Sequence, residues 1–257
     1  MLVGAHVPAA HPLAEAEARN ADVVQMFLSN PQSWKKPAPR ADAAALAGSK
    51  IPIYVHSPYL INVCTDNNRV RIPSRKILQD TCDAAAEIGA VGVVVHGGHV
   101  TGEGDVTEGY LRWRKALESV DTDVPILIEN TAAGDKAVAR RVDQLTGLWD
   151  EIGEFGVGFV LDTCHAWAGG EPIEELVGRV REATGRIDLV HLNDSRDPFD
   201  SRRDRHANIG RGEIDEGLLT AVVAAVDCPI IVETPGEADE QGADIAWARA
   251  VVGVPRP

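Results

Sequence analysis

The chain has 257 residues, 44% of them hydrophobic, and a formal net charge of −14 from 39 acidic against 25 basic side chains. That is enough apolar material for a large core, in two ordinary domains or in one α/β barrel, which often reaches ~250 residues. No run is long enough to span a membrane, and the acidic total taken alone argues against a nucleic-acid partner.

Cys64, Cys82, Cys164 and Cys228 follow no framework spacing, and the N-terminal stretch lacks the basic lead and apolar segment of a signal peptide. The expectation is a reduced, cytoplasmic protein. In chain order, short β-branched runs alternate with Ala-, Leu- and Glu-rich segments. A strand is expected at 2–5 and a helix at 12–19, then a strand at 23–28 and a helix at 41–47. Strands follow at 51–55, 91–95, 125–128, 157–161, 187–190 and 229–232, with helices at 74–88, 110–120, 138–152, 172–183, 216–226 and 243–251. Apolar strands separated by helices imply a parallel sheet covered on both faces. Repetition without a linker implies a single (β/α)₈ TIM barrel over residues 1–257. The alternative, a doubly wound sheet, normally shows a Gly-rich phosphate turn after an early strand, and this chain has none.

The residue ending each strand carries the functional signal. From the third strand onward the ends read His56, His96, Glu129, Asp162, His191 and Glu233. One polar residue at a strand end is commonplace; six in succession drawn from His, Asp and Glu are not. A barrel gathers such ends on its C-terminal face. His165, three residues past Asp162, and Asp204 and His206 in the long polar loop after His191 complete nine candidate ligands. Imidazole and carboxylate without a cysteine pair suit zinc, manganese or iron. Nine donors exceed what one catalytic ion takes from protein, so two or three ions are implied, the usual apparatus for phosphate-ester hydrolysis. His6 ends the first strand and is expected to hydrogen-bond a ligand rather than a metal. His99 is expected to face phosphate or a hydrogen-bond partner, His11 to be plain surface, and Cys164 and Cys64 to be small buried hydrophobes. Gly97 and Gly98 let the chain turn after the fourth strand.

With these residues assembled, the chain resembles the endonuclease IV family, zinc-dependent apurinic/apyrimidinic (AP) endonucleases of DNA base-excision repair. The motifs run end to end: GAHV, VHSPYLIN, VVVHGGH, IENTAAG, LDTCHAWAGG, VHLNDS with DRHANIGRG, and VETP. The resemblance implies three Zn²⁺, with Mn²⁺ suited to part of the set. One ion would take His56, His96 and Glu129; a second Glu129, Asp162, His191 and Glu233; a third His165, Asp204 and His206. It further implies hydrolysis of the phosphodiester 5′ to an abasic site in double-stranded DNA and removal of 3′-blocking groups, with Glu129 and Glu233 as catalytic carboxylates. Tyr59 and Leu60 match two positions that the family wedges into the duplex, while Gln32 stands where better-known members carry Arg. That departure bears on nucleotide flipping and leaves the metal chemistry untouched.

The acidic total conflicts with a DNA substrate unless charge is segregated. Basic residues gather after the second, third and seventh strands, at Lys35, Lys36 and Arg40, at Arg69, Arg71, Arg75 and Lys76, and at Arg196, Arg202, Arg203, Arg205 and Arg211. Lys35, Arg69, Arg203 and Arg205, with Gln32, Tyr59 and Leu60, are the expected DNA contacts, on a positive rim above an acidic body. No membrane partner is expected, and the oligomeric expectation is a monomer. Two other readings stand beside this one: a sugar isomerase or epimerase on the same barrel, and a non-catalytic damage-binding protein.

Overall fold

A computed structural model describes residues 1–253; the last four residues of the expected 1–257 domain lie outside the described residues. Eight parallel strands close into a barrel: β1 (Val3–His6), β2 (Val24–Phe27), β3 (Ile53–His56), β4 (Gly92–His96), β5 (Ile126–Glu129), β6 (Gly158–Asp162), β7 (Leu189–His191) and β10 (Ile230–Val232). The last pairs with the first through Val3↔Ile230, so no barrel edge is left open. The main helices around it are α1 (Pro12–Arg19), α2 (Ala43–Ala47), α3 (Asn68–Glu87), α4 (Val106–Leu117), α5 (Val142–Ile152), α7 (Leu176–Thr184), α8 (Glu216–Ala225) and α9 (Ala238–Val252). None of the described helices is long and apolar enough to cross a membrane, and all four cysteines are buried outside any disulfide.

Strand geometry sends alternate side chains to opposite faces. One set packs outward against the helices, as Val55, Val95 and Ile128 do. The inward set forms a separate plug inside the barrel: Val23, Tyr54, Val94, Leu127, Val160, Leu189 and Ile231. Two residues further along each of those strands, on the same face, stand Gln25, His56, His96, Glu129, Asp162, His191 and Glu233. The pleat that buries the plug therefore lifts a ring of polar side chains to the C-terminal mouth.

Most strand positions match the sequence reading; several helix boundaries and the loops do not. α3 begins at Asn68 rather than 74, because Asn67 Oδ1 accepts a hydrogen bond from Arg69 N and caps the turn ahead of Pro73. Arg69 and Arg71 thus join Arg75 and Lys76 on the helix instead of lying in a loop ahead of it. α4 starts early for the same reason, with Asp105 as its cap. α5 starts late, because Ala137–Ala139 are buried in a crossing loop tied by Val138 N to Gly98 O at 3.1 Å. Some short elements were not expected. A short helix, α6 (Thr163–Ala168), follows β6, and a two-residue ladder, β8 (Asp194–Ser195) with β9 (His206–Ala207), pins the loop after β7.

Gly4 marks where the first and second strands press together: a Cβ there would lie 1.6 Å from the Val23 carbonyl oxygen. Gly4→Ala is expected to lower unfolding free energy by about 3 kcal/mol or more. Gly178, on the exposed side of α7 with open space around it, should show the opposite sign, Gly178→Ala gaining about 0.5–1 kcal/mol. Urea titrations of both variants check the pair.

Candidate metal centre

The ring at the barrel mouth is organised about Glu129, whose side chain has no exposure to water. Its Oε2 lies 3.2 Å from His56 Nε2 and 3.3 Å from His96 Nε2. Its Oε1 lies 3.0 Å from His191 Nδ1 and 3.2 Å from His165 Nδ1. His191 Nδ1 is also 3.3 Å from Glu233 Oε2 and 4.0 Å from Asp162 Oδ2. Beyond this, Asp204 divides its oxygens between two rings, with Oδ2 3.1 Å from His165 Nε2 and Oδ1 3.1 Å from His206 Nε2.

Ligand atoms fall within 4.8 Å of one another in overlapping groups: His56, His96 and Glu129; Glu129, Asp162, His191 and Glu233; Asp162, His165 and His206. All nine sequence-derived candidates are thus drawn together. In the last group Asp162 takes the place that the sequence reading gave to Asp204, which is itself grouped with His206 and Cys164. Cys164 is wholly buried, and burial pushes its thiol up to about 12.

Local folding explains how each donor is aimed. The Asp162 carboxylate caps α6 by accepting from His165 N at 2.6 Å, which orients both residues at once. The β8–β9 ladder pairs Ser195 with His206 and so returns the polar loop to the centre. Ring nitrogens are tied to fixed main-chain oxygens: His56 Nδ1 to Ser57 O at 2.7 Å, His206 Nδ1 to Glu233 O at 3.2 Å, and His165 Nδ1, which also faces Glu129, to Asn130 O at 3.0 Å. Each of those rings keeps Nε2 for the interior.

The arrangement fits divalent cations. A neutral ring donating outward from one nitrogen holds a lone pair on the other, as a metal ligand requires. His206 Nε2 is buried without a hydrogen bond although Asp204 Oδ1 is 3.1 Å away. The two atoms do not point at each other, as expected when both point at a third. Proton equilibria agree. Burial alone would raise Glu129 and Glu233, yet His191 in particular holds both carboxyls below the ordinary carboxylate range. At Asp162 burial prevails and the pKa rises. Burial opposes charge on the imidazoles, but Glu233 and Glu129 lift His191 to about 9, and Asp204 and Asp162 lift His206 to about 9. Without metal, protons on these rings supply the positive charge that the carboxylates demand.

Of the expected DNA contacts, Tyr59 lies directly over the donors. Its half-exposed ring stacks on His96 at 5.8 Å between centroids and meets Phe27 edge-on at 5.0 Å. A cavity of about 680 Å³ beside the donors is lined by Tyr59, Leu60, His96, His99, His165 and Asp204, among others. Gln32 and Lys35 are exposed between β2 and α2, and Arg69 is exposed at the start of α3, all outside that lining. Arg203 and Arg205 flank Asp204, and both approach Asp197, Arg205 with Nε 2.6 Å from Oδ2. Other basic side chains assigned to the rim have internal partners: Arg71 donates to Thr65 O, Arg75 to Arg112 O, Arg40 to Asp42 and Arg202 to Asp135.

Sequence reasoning missed the residues that brace the donors. Asn193 Nδ2 donates to Asp162 Oδ2 at 2.7 Å while its Oδ1 accepts from Glu233 N at 2.8 Å. Asn130 exchanges hydrogen bonds with the backbone of Asp162, and Gln25 reaches both His191 and Glu233. Their signal was adjacency, in Glu129-Asn130 and His191-Leu192-Asn193, and for Gln25 a lone polar residue at inward parity in an apolar strand. His6, expected to bond a ligand, lies with Nδ1 3.1 Å from Glu233 Oε1.

A raised histidine pKa adds stability that is complete below the unfolded value and disappears as pH climbs through the folded one. The chelated protein should therefore lose melting temperature between pH 6.5, the ordinary histidine value, and about 9, through His191 and His206. Metal-loaded protein should not show this slope, because metal replaces those protons. Parallel thermal melts across that range, with and without chelator, are the measurement; identical slopes would contradict the assignment.

Comparison with known proteins accords with this geometry. The model of a family described as xylose isomerase-like TIM barrels matches residues 13–251. A protein of Mycobacterium bovis named probable endonuclease 4 is 59% identical over 253 residues, 98% of this chain and 100% of its own length. Its namesake in Mycobacterium ulcerans is 60% identical over 249 residues, covering 97% of this chain and 98% of its own. Among solved structures, endonuclease IV from Thermus thermophilus superposes with a TM-score of 0.84 at 30% identity, over 98% of this chain and 99% of that one. A D-tagatose 3-epimerase-like protein shares the fold alone, with a TM-score of 0.79 at 20% identity over 98% of each chain. The chain belongs to the endonuclease IV family.

Proposed function

We propose that the chain is a metal-dependent endonuclease of DNA base-excision repair, cleaving the phosphodiester 5′ to abasic sites and clearing blocked 3′ ends. The observation that carries this reading is the convergence of His56, His96, Glu129, Asp162, His191 and Glu233 with His165, Asp204 and His206 at one barrel mouth. Three Zn²⁺ are proposed, one held by His56 and His96, a second by Asp162, His191 and Glu233, and a third by His165, Asp204 and His206, with Glu129 shared between the first two; Mn²⁺ suits part of the same set. When bound, such ions lower the pKa of water, neutralise phosphate charge and stabilise the departing oxygen.

The chain's own residues do the remaining work. Glu129 faces imidazoles with both oxygens and fixes the spacing between neighbouring groups. Glu233 Oε1 is held by Gln25 and His6, while Oε2 turns toward His191 and the interior, where it orients the attacking water and accepts its proton. Tyr59 and Leu60 present an aromatic and an apolar surface beside the cavity, suited to fill the stack where a base is missing. Gln32 replaces the guanidinium expected at the third wedge position with a neutral amide. Lys35, Arg69, Arg203 and Arg205 contact phosphates. The chain acts as a single-domain monomer in the cytoplasm, on duplex DNA.

The epimerase reading shares the barrel but not the chemistry, because a small polyol needs one or two ions rather than nine donors. Activity on an abasic oligonucleotide and none on ketoses separates the two. A binding-only protein would show no incision at all. Incision should vanish on chelation and return with Zn²⁺. Glu233→Gln should leave the melting profile near that of the parent and slow incision about 10²–10⁴-fold. Near-normal turnover of that variant would remove Glu233 from the catalytic role. Binding should also weaken steeply with salt through the phosphate contacts, so incision at limiting enzyme that is indifferent to salt would remove the basic rim.

A further inference from the structure

One member of the inward ring is neither an imidazole nor a carboxylate. Gln25 stands on β2 two residues beyond Val23, at the parity that other strands give to an imidazole or carboxylate, and it is fully buried. A buried primary amide must find partners for its oxygen and its two hydrogens. Gln25 Oε1 lies 3.0 Å from His191 Nε2, and Nε2 lies 2.7 Å from Glu233 Oε1 and 3.0 Å from His6 Nδ1.

These contacts allow one orientation of the amide. Turned over, its oxygen would sit 2.7 Å from a carboxylate oxygen with no proton between them. With Oε1 facing His191, the hydrogen of the neutral ring belongs on Nε2, and Nδ1 keeps its lone pair. The contrast with other rings is independent support. His56 and His206 tie Nδ1 to main-chain carbonyls and keep Nε2 for the interior. His191 presents Nδ1 to the centre instead, and the acceptor behind its Nε2 is this side chain.

We infer that Gln25 is a positioning residue of the metal centre: its amide is oriented by Glu233 and in turn fixes which nitrogen of His191 faces the ions. Ligands from the end of β7 and from the residue after β10 are thereby set by one side chain of β2. The inference rests on the metal-centre reading above, and its test uses readouts other than turnover.

Zn²⁺ retention is measured by competition with a chromophoric chelator, and protection of the His191 Nε2 proton by ¹H–¹⁵N imidazole spectra of the loaded protein. Gln25→Leu should weaken Zn²⁺ retention about 10–100-fold and expose the Nε2 proton to fast exchange. Gln25→Glu keeps the volume and an acceptor for His191 but sets an oxygen against Glu233. It should retain Nε2 protection and still lose Zn²⁺ about 10-fold or more, and it decides the matter if the Leu variant fails to fold. Both variants holding Zn²⁺ as tightly as the parent, or unchanged Nε2 protection in Gln25→Leu, would overturn the inference. A parent chain that retains Zn²⁺ but leaves abasic duplex intact would instead sink the proposed activity and leave Gln25 in place. A parent that retains no Zn²⁺ overturns both.

Discussion

A carboxylate with no access to water survives as an anion only when positive charge surrounds it, and Glu129 is such a group. Each of its oxygens lies between two imidazoles from different elements. The rest of the mouth is arranged to keep that charge compensated. Further carboxylates raise the affinity of the rings for positive charge, and main-chain carbonyls fix the directions in which the rings offer their lone pairs. Removing the central anion would leave several buried imidazoles facing one another; removing the rings would leave an anion that the barrel cannot hold. The centre is one electrostatic unit, and the barrel is the frame that prevents it from relaxing into water.

The sequence is most legible where a short-range rule determines a long-range outcome. Apolar runs such as VVV before His96 and ILI before Glu129 identify strands because both faces of a barrel strand are buried. Once the strands are placed, barrel closure brings their ends together, and His56 need not be near Glu233 in sequence to meet it. The helices are less legible because their starts depend on single capping atoms. Asn67 Oδ1 starts α3 ahead of Pro73, a proline that by propensity alone argues against helix there. The β8–β9 ladder is two residues long, too short for any periodicity to reveal. Gln25 is a faint signal for another reason: it stands out only as a lone polar residue at inward parity, amides are common and bear no charge, and its importance lies in what it touches.

The charge distribution is narrower than the sequence reading drew it. Arg71 and Arg75 direct donors into backbone carbonyls, and Arg202 meets Asp135, so these side chains serve the fold as well as any phosphate. Arg203 and Arg205 both lean on Asp197, beside the exposed carboxylate of Asp204. What remains is a patchy collar rather than a continuous positive band, on a body whose total charge is −14. Such a body repels nucleic acid except where the collar and the donor-rich mouth face it together.

The two-residue spacing between plug and ring has a consequence for assembly. A strand that settles one position out of register would turn Val55, Val95 or Ile128 toward the mouth and send its imidazole or carboxylate into the hydrophobic layer beneath the helices. That mistake is penalised twice, by charge stranded in oil and by a cation left short of a partner. Cation capture can thus proofread strand alignment, and a single inserted residue costs far more inside the staves than in the loops that connect them.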